Sequence, residues 1–215
     1  MAWTLTIGDK NLSSWSMRPW LALKRAQAPF QERMIRLNQE DTPRLIDEVS
    51  PSGRVPALDA DGVTIWDSLA ISEFVAERFP QANLWPEDAE RRAVARSAAA
   101  EMHPGFPSLR GECPMNIVLR ETRDLTPITG EDIRRVVKLF DMLRGRYADG
   151  GDFLVGPWSI ADAFFTPVAT RFRSYGVKLS DYGDTGAAGA YCDQLLNTPE
   201  FLEWERDATA ETQAD

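Results

Sequence analysis

The strand signals of this chain gather before residue 67 and nearly vanish beyond residue 86, and that one-sided distribution constrains the fold more than any other feature. Trp3 to Ile7 alternates bulky apolar residues with threonine, the pattern of a short strand. Ser13-Ser14 then precedes an apolar run at helical spacing from Trp15 to Gln27, in which Pro19 fits only near the first turn. Phe30 to Leu37 alternates again and suits a second strand. Thr42-Pro43 opens a short helix to Val49, with Thr as N-cap and Pro as first helical residue. Residues 55–58 and 63–66 are short apolar runs around Asp61-Gly62, a strong hairpin signal. Asp67-Ser68 caps a helix through Phe79. The predicted order is strand–helix–strand–helix–strand–strand–helix, a small mixed sheet with helices.

From Pro80 to Pro86 the chain reads as a linker, with two prolines and no sustained period. Beyond it, residues 88–110, 131–147, 160–172 and 187–196 read as helices, and the polar tail 207–215 as frayed. A length of 215 residues accommodates one large domain or two small ones. The expected division is a mixed α/β unit at 1–80 and an all-helical unit at 87–215.

Composition excludes several classes of function. An apolar fraction of 43% with 27% charged residues is that of a globular chain. A net charge of −9 repels phosphate backbones and gains nothing at an anionic membrane surface, so neither nucleic acid nor membrane is an expected partner. Two separated cysteines, Cys113 and Cys192, and the single His103 cannot build a Cys/His zinc site, and no metal is expected. Both cysteines suit packing as small apolar residues. With no signal-peptide pattern at the N-terminus and no apolar run of 18 residues, the expectation is a cytoplasmic protein.

Three short segments carry chemistry. Ser13 and Ser14 stand between a strand and a helix, where backbone N–H groups and the helix dipole favour an anion such as a thiolate. Plain N-capping is the competing reading. No GxSxG elbow surrounds these serines, and nothing joins them to the lone His103, so an acyl-transfer nucleophile is not expected. Arg54-Val55-Pro56 precedes a strand; a cis bond there would turn the Val55 backbone toward a peptide-like ligand, whereas an ordinary edge-strand proline is the commoner case. Asp67 offers a carboxylate to an ammonium group, and Ser68 a helix N-terminus to a carboxylate. Two adjacent capping residues would explain the same pair.

A serine-led helix start, Val-Pro some 40 residues on and an acidic-Ser pair a dozen beyond that together resemble the glutathione S-transferases. So do the strand and helix order and the helical second half. SSWSMRPWLAL also resembles the SSCxxxxRxAL signature of the zeta class, the maleylacetoacetate isomerases, with Trp15 where the zeta cysteine stands. The resemblance implies a thioredoxin-like N-terminal domain plus an all-α C-terminal domain, with glutathione as cosubstrate and a homodimer in solution. It further implies that the hydroxyl of Ser13, or of Ser14 on a theta-like count, donates to the glutathione sulfur. Arg54, Val55, Pro56, Asp67, Ser68 and, more weakly, Gln39 would hold the rest of the tripeptide.

The electrophile pocket is then expected along the long helix after the linker. His103, Phe106 and Arg110 fall at spacings 3 and 4 on one helix face, with Trp15 flanking them. Ser159 and Asp162 match the family's buried capping box. The leading expectation is a transferase joining glutathione thiolate to hydrophobic electrophiles. A glutathione-dependent cis–trans isomerase and a non-catalytic module with the same fold are the alternatives.

Overall fold

The computed structural model describes residues 3–213. Strands β1 (Trp3–Gly8), β2 (Phe30–Ile35), β3 (Ala57–Ala60) and β4 (Val63–Ile65) form one four-stranded sheet in the order β2-β1-β3-β4. β1 and β2 are parallel, with Trp3 opposite Phe30 and Gly8 opposite Ile35, while β3 runs antiparallel to both β1 and β4. A parallel pair needs a crossover, which helix α1 (Ser14–Arg25) supplies. The antiparallel pair needs only Asp61-Gly62, whose φ angles of +56° and +87° are those a two-residue hairpin demands. Helices α2 (Thr42–Asp47) and α3 (Ser68–Arg78) complete the order expected from the sequence.

Two local expectations shift by a position or a turn. Asp41, not Thr42, occupies the N-cap of α2. The Thr42 hydroxyl accepts from the Gln39 N–H (2.9 Å) and donates to the Arg36 carbonyl (2.6 Å) instead, closing the loop after β2. Pro19 lies in the second turn of α1 rather than the first, in a helix buried on almost every residue.

Beyond Ile65 the described elements are helical, apart from an isolated bridge between Phe153 and Gly156. They comprise α4 (Ala89–Met102), α5 (Pro107–Glu112), α6 (Pro127–Tyr147), α7 (Ile160–Ser174), α8 (Ala187–Leu196) and α9 (Pro199–Gln213). The single helix expected over 88–110 is thus two. Pro104 has no N–H to continue α4. Gly105 follows so tightly that an added Cβ would lie 2.2 Å from the Glu101 carbonyl oxygen, and Phe106 then turns the chain at φ +59°. His103 becomes the C-cap of α4 and Arg110 belongs to α5, so His103, Phe106 and Arg110 do not share a helix face.

The polar tail is also ordered, as far as the described residues extend. α9 runs to Gln213, and its polar groups grip the loop between β1 and α1. The Lys10 ammonium sits 2.7 Å from Asp207 and 2.8 Å from Glu32, over the rings of Trp20 and Trp204. Burial alone would lower its pKa; hydrogen bonds to Asp207 and Glu32 outweigh that and raise it. The Lys10 N–H donates to Glu211 (2.8 Å), and the Lys10 carbonyl accepts from the Trp204 indole (2.8 Å). Residues that look like a solvated end are therefore a clamp three positions ahead of Ser13.

At the other end of the core, α7 begins with the expected capping box. The fully buried Asp162 accepts from the Ser159 N–H (2.7 Å) and hydroxyl (3.1 Å), the Leu154 N–H (3.0 Å) and the Tyr191 hydroxyl (2.7 Å). Removing the carboxylate strands several buried donors at once. Asp162→Ala is expected to lower the unfolding free energy by about 3 kcal/mol in urea denaturation. A loss below about 1 kcal/mol would show that these donors find other partners.

Candidate functional site

A cleft of about 500 Å³ lies between the N-terminus of α1, the irregular segment ahead of β3 and the start of α3. It brings together Ser13, Ser14, Trp15, Arg54, Val55, Pro56 and Asp67, with apolar walls from Leu12, Leu37, Ile46 and Trp66. The Val55–Pro56 bond is cis, and so is Trp66–Asp67.

Ser13 is the N-cap of α1, where unpaired N–H groups and the helix dipole concentrate positive potential. Its hydroxyl donates to Ser16 Oγ at 2.7 Å, and Ser16 Oγ also accepts from the Gly8 N–H at 3.1 Å. Ser14 Oγ accepts from Arg171 at 3.1 Å. Ser14 is thus backed by a side-chain donor, whereas Ser13 spends its own proton on Ser16 and accepts the Ser16 N–H (3.4 Å); both line the cleft. Neither Ser16 nor Arg171 was visible as a site residue in the sequence. Ser16 carries a signal in hindsight, being three residues from a cap, but Arg171 lies 157 positions from Ser14 and carries none.

Beneath the serines is a group of buried cations. Arg171 is fully engaged, donating to the Cys113 carbonyl (2.9 Å), the Pro167 carbonyl (3.1 Å) and Ser14. Burial, assisted by Arg110, pushes its pKa down to about 10, so it stays charged at neutral pH. Arg18 is wholly buried, and its guanidinium nitrogens have no hydrogen-bond acceptor among the described residues. It lies over the rings of Trp15 (4.4 Å) and Phe164 (4.8 Å). Burial and then Arg110 and Arg171 lower its pKa well below the ordinary value, with Asp67 opposing. Trp15, in turn, is fixed by Arg18, by Arg110 (5.0 Å) and by the edge-on ring of His103 (5.0 Å).

Asp67 both caps and faces the cleft. Its Oδ1 accepts from the Leu69 N–H (2.9 Å) and the Ala70 N–H (3.4 Å), and its Oδ2 lies 2.9 Å from His103 Nε2. Half of its side chain remains exposed. Ser68, expected beside it in the site, is fully buried; its hydroxyl has no hydrogen-bond partner among the described residues and does not line the cleft. Gln39 is exposed and away from the cleft, its amide turned back to the Leu37 carbonyl.

The expected electrophile residues are placed unevenly. His103 and Arg110 do gather around Trp15, but by a fold-back rather than a shared helix face: Arg110 donates to the carbonyls of Met102 (2.5 Å) and His103 (2.7 Å). Phe106 is buried in the core at the break between α4 and α5. Cys113 is buried, and burial pushes its thiol up to about 11; Cys192 is raised further for the same reason. Neither supplies a thiolate at neutral pH. Among the described residues, no three His, Cys, Asp or Glu side chains are grouped to hold a metal ion. Nor is any described helix long and apolar enough to cross a membrane.

Comparison with known proteins agrees with this architecture. Residues 12–78 match the family model for the glutathione S-transferase N-terminal domain. A probable maleylacetoacetate isomerase of Caenorhabditis elegans is 25% identical over 204 residues, covering 93% of this chain and 91% of the relative. The maleylacetoacetate isomerase of Mus musculus is 28% identical over 174 residues, covering 79% and 77%. Among solved structures, a glutathione transferase homolog from Burkholderia with bound glutathione superposes with a TM-score of 0.73 at 23% identity, covering 98% of this chain and 99% of that one. With that N-terminal domain at residues 12–78 and the two-part fold continuing through α9, the chain carries a glutathione S-transferase N-terminal domain and has the fold of the glutathione transferases.

Proposed function

We propose that this protein is a glutathione transferase that adds the thiolate of glutathione to hydrophobic electrophiles. Residues 1–80 would bind the tripeptide and residues 87–215 supply the electrophile pocket, in a homodimer. The observation that carries this reading is the convergence of Ser13, Val55 and Asp67 on one cleft. A hydroxyl at a helix N-terminus, main chain beside Pro56 and a half-exposed carboxylate complement a thiol, a peptide unit and an ammonium group in turn.

The chemistry asked of the site is modest. A free thiol titrates near ~8.5, so only a few per cent is ionised at neutral pH. Lowering that value by ~2 units requires roughly 2.7 kcal/mol of preferential anion stabilisation. Ser16 is held by the Gly8 N–H and has a proton of its own. Rotated to donate to Ser13 Oγ, it frees the Ser13 proton for the sulfur without moving a heavy atom. Arg171 polarises Ser14 in the same sense, and the unpaired charge of Arg18 raises the positive potential around both. The thiolate then forms the S–C bond, and the displaced electron pair leaves on the electrophile or its leaving group.

Asp67 takes the γ-glutamyl ammonium and the Ser68 N–H, the first of α3, its carboxylate, since the Leu69 and Ala70 N–H groups are spent on Asp67. Arg54 lies on the cleft to meet the glycyl carboxylate; Gln39 reaches it only if the loop after β2 closes. Trp15, His103 and Arg110 form the side nearest the electrophile, with Phe106 packed behind them.

A second reading, glutathione-dependent cis–trans isomerisation, is favoured by the names of the relatives and by the cations Arg18, Arg110 and Arg171, which suit an acidic substrate. Trp15 at the zeta cysteine position weighs against it. Turnover of a cis-dicarboxylate in preference to an aromatic electrophile would select isomerisation.

Four substitutions test the assignment. Ser13→Ala should lower kcat about 100-fold with little change in glutathione affinity, and Ser14→Ala less than tenfold; equal losses would reassign the donor. Asp67→Ala should weaken glutathione binding at least tenfold in calorimetry, and unchanged binding would remove its role. Arg18→Met should raise the pKa of bound glutathione, read by thiolate absorbance against pH, by about one unit. Because that variant also removes an unpaired buried charge, folding stability should hold or increase. An unchanged thiol pKa would exclude Arg18 from anion stabilisation.

A further inference from the structure

The contact between His103 Nε2 and Asp67 Oδ2 at 2.9 Å joins α4 to the N-terminus of α3 exactly where the cleft presents its carboxylate, and it has a consequence for ligand binding. A carboxylate offers about four acceptor positions. Oδ1 spends two on the N–H groups of Leu69 and Ala70, and Oδ2 spends one on His103, so the remaining position lies beside the imidazole.

We propose that His103 is a positioning residue for glutathione, its neutral imidazole holding Asp67 Oδ2 toward the γ-glutamyl ammonium and its protonated form competing with that ammonium for the same oxygen. The proposal rests on the reading that the γ-glutamyl head seats at Asp67. It moves His103 from the electrophile side of the site to the glutathione side.

The surroundings of the ring select the neutral form. Asp67 faces it from α3, Arg18 from α1 and Arg110 from α5, while α7 contributes the uncharged ring of Phe164 at 5.9 Å and α1 that of Trp15 at 5.0 Å. On its own element, Glu101 is engaged by Arg135. Burial lowers the imidazole pKa from its ordinary 6.5; Asp67 opposes this, and Arg18 and Arg110 add to it. At neutral pH the Nε2–H therefore donates to Asp67, with Nδ1 buried and without a partner among the described residues. Protonation turns the imidazole into a cation against Oδ2, beside the position the ligand's ammonium needs. By linkage, bound ammonium must also make the imidazole harder to protonate.

His103 is the only histidine in the chain, which makes the test clean. Binding of S-methylglutathione, which has no thiol to titrate, is measured by calorimetry at pH 7 and pH 5, an interval over which its ammonium and carboxylates keep their charges. Wild type should lose affinity between pH 7 and pH 5. His103→Gln, which can keep an N–H donor and cannot titrate, should bind within about threefold of wild type at pH 7 and lose the acid dependence. His103→Phe, which keeps a ring against Trp15 and Phe164 without a donor, should bind about tenfold more weakly at pH 7, with the loss read in KM for glutathione more than in kcat. An unaltered acid loss in His103→Gln, or wild-type affinity in His103→Phe, would overturn the role of His103 while leaving the transferase reading intact. Absence of glutathione binding by wild type at millimolar concentration would instead remove the transferase reading and this role with it. Imidazole NMR gives a second readout independent of any variant at position 103: saturating glutathione should lower the His103 pKa, and an unmoved value would also overturn the proposal.

Discussion

Helix α1 is buried on nearly every residue, and the rest of the structure is arranged around that burial. A crossover helix in a small sheet ordinarily covers one face of the sheet and shows its other side to water. Here α3 and the sheet take one side of α1, while α7 and α9 close the other. The helix thus serves both halves of the chain, and its N-terminus emerges where they meet. Ser13 and Ser14 are held from the sheet side through Gly8 and Ser16, and from the helical side through Arg171. The loop leading to them is pinned by α9 through Lys10.

Burying α1 also buries Arg18, and the resulting electrostatics are lopsided. Three guanidinium groups influence one another beneath the cleft, and Asp67 is the carboxylate that opposes the lowering of Arg18. An unpaired charge away from water is costly, and a site that retains one favours an incoming anion. Aromatic faces of Trp15 and Phe164 offset part of the cost. In the same arrangement the Trp15 indole is a wall, fixed by cations and by His103, and brings no thiol to the site.

Local chemistry made much of the element order legible. Asp61-Gly62 must turn with both φ angles positive, and it does; Ser159 and Asp162 cap α7 as their spacing requires. The split of the 88–110 segment was written in Pro104 and Gly105, yet helical periodicity on both sides masked it. The tail was misread for a different reason. Its acidic residues resemble a solvated end, and only the partner Lys10, about two hundred positions away, reveals that they are anchors.

What the sequence by itself determined was the order of the elements, the capped helix starts and the residue types able to hold a thiol, a peptide and an ammonium group. Those depend on backbone preferences and hydrogen bonds spanning a few residues. Only the tertiary structure decided which of them meet: Ser13, Val55 and Asp67 at one cleft, Arg171 behind Ser14, His103 on Asp67, and Gln39 and Ser68 outside. Those meetings follow from burying the apolar faces of α1 and α7 against each other, and the non-directional hydrophobic force that drives this leaves no short-range trace in the chain.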